Sequence, residues 1–370
     1  MPFRPALTSK HNIDRLRQDC LNLLITFVIA LSCGWLFLQL NLPAPFMMGS
    51  LFGVWVSGGT APKLRPYLGV AQWFRQPVIL GLGVLIGATF TDAFFSQMFL
   101  WQNTVITMII TTITITALGF VFLTKIRGYD RNLALLCSIP GGQAEAVIIA
   151  RETTDKDYVV ALFHLVRVVV VFVSTPLLLA FIQGQDAVAS SNIALQTMPS
   201  IFALPPIQLF TFIALALGGY GLARLCRLPL PYLLGPLLLS MIVHVSGLAA
   251  LPRVNEFVIL AQLVIGGGVG ARLSRVPLQV LARYLLDALA ASALILSAYL
   301  LAASMMMLML GGSFLSFWLA FVPGGLYEVT LLALVFGFDV AFTAAHHTVR
   351  TMMIFIGMPV LARRMRKTEA

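Results

Sequence analysis

Charge is what this chain most lacks. Of its 370 residues only 10% are Asp, Glu, Lys or Arg, 59% are hydrophobic, and the mean hydropathy is +0.94. Soluble domains are charged at about a quarter of positions, so this deficit excludes a soluble fold and predicts a polytopic helical membrane protein. Cysteine is scarce too. Cys20, Cys33, Cys137 and Cys226 have no C-x-x-C spacing and lie in or beside apolar segments, which reads as packing rather than redox or metal chemistry. Five histidines without a His-x3-His pair supply no metal-ligating pattern. Adjacent His346 and His347 would point about 100° apart on a helix and cannot chelate one ion from one face. No cofactor motif is expected either. Gly266-Gly267-Gly268-Val269-Gly270 has no strand before it, so close helix packing explains it better than a nucleotide loop. The net charge of +10 comes in short clusters between apolar segments, the mark of cytoplasmic loops rather than of a nucleic-acid surface.

What the chain does contain, it contains twice. Ile139-Pro140-Gly141-Gly142-Gln143-Ala144-Glu145 returns as Val322-Pro323-Gly324-Gly325-Leu326-Tyr327-Glu328, an offset of 183 from Ile139 to Val322. At the same offset His164-Leu165-Val166-Arg167 returns as His347-Thr348-Val349-Arg350, and Pro176 as Pro359. Gly83 and Gly87 fall on Gly266 and Gly270. Leu42 to Gly49 resembles Leu228 to Gly235, with three residues of slip. Such a register means an internal duplication covering nearly the whole chain. The expected division is a cytoplasmic segment 1–19, a first membrane repeat 20–182, a linker 183–204, a second repeat 205–362 and a basic cytoplasmic tail 363–370.

Apolar segments are expected near 20–40, 44–59, 76–97, 102–124, 132–150 and 158–182. In the second half they fall near 205–223, 230–250, 256–271, 284–309, 314–336 and 340–361. With all twelve crossing, many Arg and Lys would face outward, against the positive-inside rule. Treating each Pro-Gly-Gly segment as a re-entrant hairpin leaves five crossings per half and inverts the halves. All 24 Lys and Arg except Arg253, Arg167 and Arg350 then face the cytoplasm, as do both termini. A broken crossing helix is the alternative.

Both motifs carry charge into apolar surroundings. Glu145 and Glu328 stand five residues past their prolines. A charge at mid-bilayer costs roughly 2.5–3.5 kcal/mol, so each carboxylate needs a partner, a proton or a coupling ion. Arg167 and Arg350 lie about ten residues inside their helices, roughly 15 Å deep and near the midplane. His164 shares a helix face with Arg167, and His347 with Arg350. Salt bridges from these arginines to the glutamates and direct substrate binding are equally open expectations. Asp157 and Asp339 read as helix-start residues.

Interrupted helices at the midplane of inverted repeats are the architecture of secondary transporters. The candidate substrate and ion site is therefore Pro140, Gly141, Gly142, Gln143, Glu145, His164 and Arg167 with Pro323, Gly324, Gly325, Tyr327, Glu328, His347 and Arg350. Free N–H groups after each break would favour an anionic group. The expected partners are the bilayer, a small molecule, a proton or sodium ion, and a second copy of the chain.

The doubled Pro-Gly-Gly-x-x-Glu segments, with their His-x-Val-Arg followers, resemble the bacterial AbrB family of duplicated membrane proteins. The resemblance implies an inner-membrane location and a link to regulation of gene expression, hence a membrane-embedded sensor as the second reading. Family members are often labelled ammonia monooxygenases. No cluster of His, Cys or carboxylate here has copper or iron spacing, so a monooxygenase component is the remote third reading and no catalytic residue is assigned.

Overall fold

The computed structural model describes residues 9–92, 94–277 and 282–368, and among them the chain is helical without a strand. The first half runs α1 (Ser9–Gln39), α2 (Pro45–Thr60), α3 (Gln72–Gly87), α4 (Phe94–Leu100), α5 (Gln102–Val121), α6 (Arg131–Ser138), α7 (Gln143–Thr153) and α8 (Asp157–Gln183). After α9 (Gln185–Gln196) come α10 (Pro206–Leu225), α11 (Pro231–Val245), α12 (Asn255–Ser274) and α13 (Ala282–Leu310). The chain ends with α14 (Phe314–Phe321), α15 (Leu326–Val335) and α16 (Val340–Thr368). Among the described residues six helices are long and apolar enough to cross a membrane: α1 from Asp14 onward, α5, α8, α10, α12 and α13.

Glycine decides how the halves meet. A Cβ at Gly83 would lie 2.6 Å from the Leu233 carbonyl oxygen, and Gly87 is pressed as closely on Leu237 of the same helix. Gly266 and Gly270 of α12 are pressed likewise on the Met47 and Leu51 carbonyls of α2. Only glycine lets backbones approach so closely. So α3 packs on α11 and α12 on α2, each across the two halves. The chain also takes matching left-handed turns before α2 and α11, at Asn41 and Ala44 and at Arg227 and Leu230.

One expectation changes. The apolar segment 76–97 is not one helix, because α3 ends at Gly87 in a hydrogen-bonded turn and α4 begins at Phe94. The linker expected over 183–204 contains α9. Its polar residues fix it in place, Asn192 donating to Asn41 Oδ1 at 3.1 Å and Ser191 to the Val335 carbonyl at 3.3 Å.

The broken segments have revealing ends. Tyr129, just before α6, and Tyr158, in the first turn of α8, lie with ring centroids 6.1 and 6.4 Å from that of Tyr284, near the start of α13. Phe317 of α14 lies 6.1 Å from Phe342, in the first turn of α16. The α14 segment follows the other end of α13, whose 29 residues span roughly 43 Å.

Candidate functional site

At the first break α6 stops at Ser138 and Ile139 is extended. Pro140 has no N–H to offer, and Gly141 and Gly142 take φ of 139° and 61°, which a side chain would resist. The break leaves carbonyls at the end of α6 without helical donors. Residues from α8, 28 positions later, take them up. His164 Nε2 lies 3.1 Å from the Leu136 oxygen, and Arg167 Nη2 donates to the Ile139 oxygen at 2.8 Å. The same Nη2 is 2.9 Å from His164 Nδ1. A guanidinium can only donate, so Nδ1 accepts and the histidine proton sits on Nε2, where it reaches the carbonyl.

The second break repeats the device more fully. His347 Nε2 meets the Leu319 oxygen at 2.9 Å and its Nδ1 accepts from Arg350 at 2.8 Å. Arg350 also donates to the carbonyls of Phe321, Val322 and Gly324 at 2.8, 3.0 and 3.2 Å. His164, Arg167, His347 and Arg350 are all buried. The bend itself differs from the first: Gly325 has an ordinary φ of −73°.

This geometry corrects the expected ion pairs. The arginines are committed to backbone carbonyls, and neither glutamate pairs with Arg167 or Arg350 among the described residues. Glu145 is half-buried. Glu328 is only 4% exposed, and its Oε2 has no hydrogen-bond partner. Its carboxylate folds back over Gly325, at the start of α15, where helix N-termini favour negative charge.

Pro140 and Pro323 are buried, and the tips they form pack across the halves. A Cβ at Gly141 or Gly142 would come within 2.7 Å of Ile354 on α16, and one at Gly324 within 3.3 Å of Val171 on α8. Ile354 and Val171 each stand four residues after an arginine of the device, Arg350 and Arg167. Buried Tyr299 of α13 has its ring 6.0 Å from the Arg350 guanidinium and its hydroxyl 2.8 Å from Thr112.

Gln143, half-buried, starts α7 without a counterpart in kind. Tyr327, half-buried beside Glu328, has the more informative neighbours. Its hydroxyl accepts from Arg75 Nη2 of α3, whose guanidinium lies 5.7 Å from the ring centroid. Arg272, in the last turn of α12, is within electrostatic reach of Tyr327, Glu328 and Arg75. Charge counting assigns both Arg272 and Arg75 to the cytoplasmic side. Neither is duplicated: at the offset of 183 their counterparts are Val258 and Thr89. His346 and His347 turn to different partners, His346 Nε2 to Thr104 at 2.9 Å. Both aspartates start their helices as expected: Asp339 accepts from Phe342 N at 2.9 Å, and Asp157, the first residue of α8, also pairs with Arg151 at 3.3 Å.

Comparison with known proteins places the chain in a family. The chain is 25% identical over 353 residues to the AbrB protein of Escherichia coli (strain K12), which carries the name of a regulator. That match covers 92% of this chain and 95% of the relative. It is 27% identical over 270 residues to the uncharacterized protein YhjN of Bacillus subtilis (strain 168), covering 69% of each. The family model described as transition state regulatory protein AbrB matches residues 52–366, and the chain belongs to the AbrB family.

Proposed function

We propose that this membrane protein is a secondary transporter of the bacterial inner membrane, moving a small anionic metabolite coupled to an ion. One observation carries this reading: two helix breaks lie buried in the bundle, each held by a buried His-Arg pair and pressed on the opposite half's helix. Broken backbone at membrane depth is tolerated where it is buried in protein or lines a cavity, and transporters place their sites there. Glu328, buried with a bare oxygen, is the proposed carrier of the coupling proton or cation.

Counterflow in proteoliposomes tests it. The wild type is expected to show protein-dependent flux that an imposed pH or sodium gradient drives, and Glu328→Gln to lose the gradient dependence. Ligand binding without flux would refute transport and favour the second reading, a membrane-embedded sensor, which the name of the Escherichia coli relative supports.

The reading includes re-entrant hairpins entering from opposite faces, with both termini cytoplasmic. Its support is that Tyr129 and Tyr158 share one ring at the start of α13, while the second segment follows the far end of α13. Single cysteines at exposed Ser190 and Gly312 should react with an impermeant thiol reagent added outside, and those at exposed Lys63 and Asp130 should not. External labelling at Lys63 or Asp130 would overturn the topology.

A further inference from the structure

Arg75 and Arg272 are the unexplained charges of the second tip. They bring two guanidiniums to a place where Glu328 supplies one negative charge at most, and both remain half-buried. Arg75 spends one donor on the Tyr327 hydroxyl. Arg272 spends its Nε on the Gly268 carbonyl, at a long 3.4 Å. A guanidinium has five N–H donors in a planar fork that matches carboxylate and phosphate oxygens. A helix-dipole role would account for Arg272 in the last turn of α12, but it leaves Arg75 and the bare oxygen of Glu328 unexplained.

The unduplicated positions sharpen the argument. Residues that merely hold a tip in place should recur with the tip, as the His-Arg pairs do. These two do not, so the second tip has a property the first lacks, an excess of positive charge near the ends where α3 begins and α12 stops.

We infer that Arg75, Arg272 and the Tyr327 hydroxyl bind an oxyanion, the carboxylate or phosphate of a small metabolite, and that Glu328 takes up one proton as it binds. The ligand keeps its negative charge. The proton comes from solvent onto the bare carboxylate oxygen, so the anion does not meet a second negative charge. The inference rests on the transport reading for its purpose, though not for its chemistry. The groups that bear on Glu328 are few. Arg75 approaches from α3, Arg272 from α12 and Tyr327 from its own helix, while α14 carries no titratable residue. On α16, His346, His347 and Arg350 are turned to Thr104, the Leu319 carbonyl and the second break.

The test is thermal unfolding of the full-length, detergent-solubilised protein with succinate or inorganic phosphate, against chloride at equal ionic strength. A ligand that binds the native state raises the midpoint by mass action. At least one oxyanion is expected to stabilise the wild type, with affinity falling as pH rises and Glu328 holds its proton less readily. Each variant is compared with its own ligand-free form, so a purely structural loss does not count. Arg75→Gln and Arg272→Gln should weaken binding at least tenfold, and Arg75→Lys and Arg272→Lys, which keep the charge, should weaken it less. Glu328→Gln should bind with the pH dependence gone. Stabilisation by neither oxyanion, or equal stabilisation in the two Gln variants, overturns the inference. Binding without counterflow would leave this site standing and remove the transport reading instead. Counterflow of an unrelated solute with no oxyanion binding would do the reverse.

Discussion

Arg350→Met is expected to destabilise the protein more than Arg167→Met, although both remove a buried cation that no carboxylate among the described residues pairs with. Arg350 holds the carbonyls of Phe321, Val322 and Gly324, whereas Arg167 holds that of Ile139. Each buried carbonyl stripped of its donor costs about 1–3 kcal/mol. Removing the charge returns roughly 2.5–3.5 kcal/mol of insertion cost. The net loss expected for Arg350→Met is therefore on the order of 2–4 kcal/mol, while for Arg167→Met the two effects nearly cancel. Arg350→Lys should fall between, because an ammonium cannot reach three carbonyls in a fixed fork. Denaturation in detergent measures all three. A wild-type midpoint for Arg350→Met, or a larger loss at Arg167, would show that carbonyl capture is not what the arginine contributes.

Gly325→Ala is expected to abolish ion-coupled flux while leaving the fold intact. At φ −73° alanine suits the backbone, so strain is not the reason. The added methyl would instead occupy the space of the Glu328 carboxylate, which folds directly over this glycine. Displacing a reacting group by about 1 Å can cost a hundredfold in rate, and that loss in counterflow is the expected result. Gly142→Ala makes a useful contrast. A Cβ there would lie 3.5 Å from Glu145 Oε2, an ordinary contact, but φ +61° and the crowding of Ile354 oppose it, so stability should suffer first. Combining Gly325→Ala with Glu328→Gln should be no worse than Glu328→Gln alone. Full gradient-driven flux in Gly325→Ala would separate Glu328 from the coupling role.

The duplication made much of this legible. Any residue needed at both breaks appears twice in one register, so Pro-Gly-Gly, the glutamates and the His-Arg pairs stand out of the sequence. The partners of the arginines were harder to see, because sequence displays side-chain charge and hides orphaned carbonyls. A signal existed even so: proline supplies no N–H, so a break before Pro140 or Pro323 leaves carbonyls requiring outside donors. Arg75 and Arg272 escaped for the opposite reason. They occur once, near helix ends, where a basic residue resembles any other loop charge.

The glycine contacts between α3 and α11, and between α12 and α2, bear on how such a chain arose and how it moves. A solitary half would display a glycine stripe and a row of carbonyls with nothing against either. A single-repeat ancestor would thus have been complete only as a pair, and gene fusion would have joined two subunits already interlocked. The same interlock denies either half independence as a mechanical part. Helices α2, α3, α11 and α12 form one frame drawn from both. In the proposed transport cycle the broken segments with α8 and α16, again drawn from both, would be the parts that shift against it, and the boundary would run across the duplication.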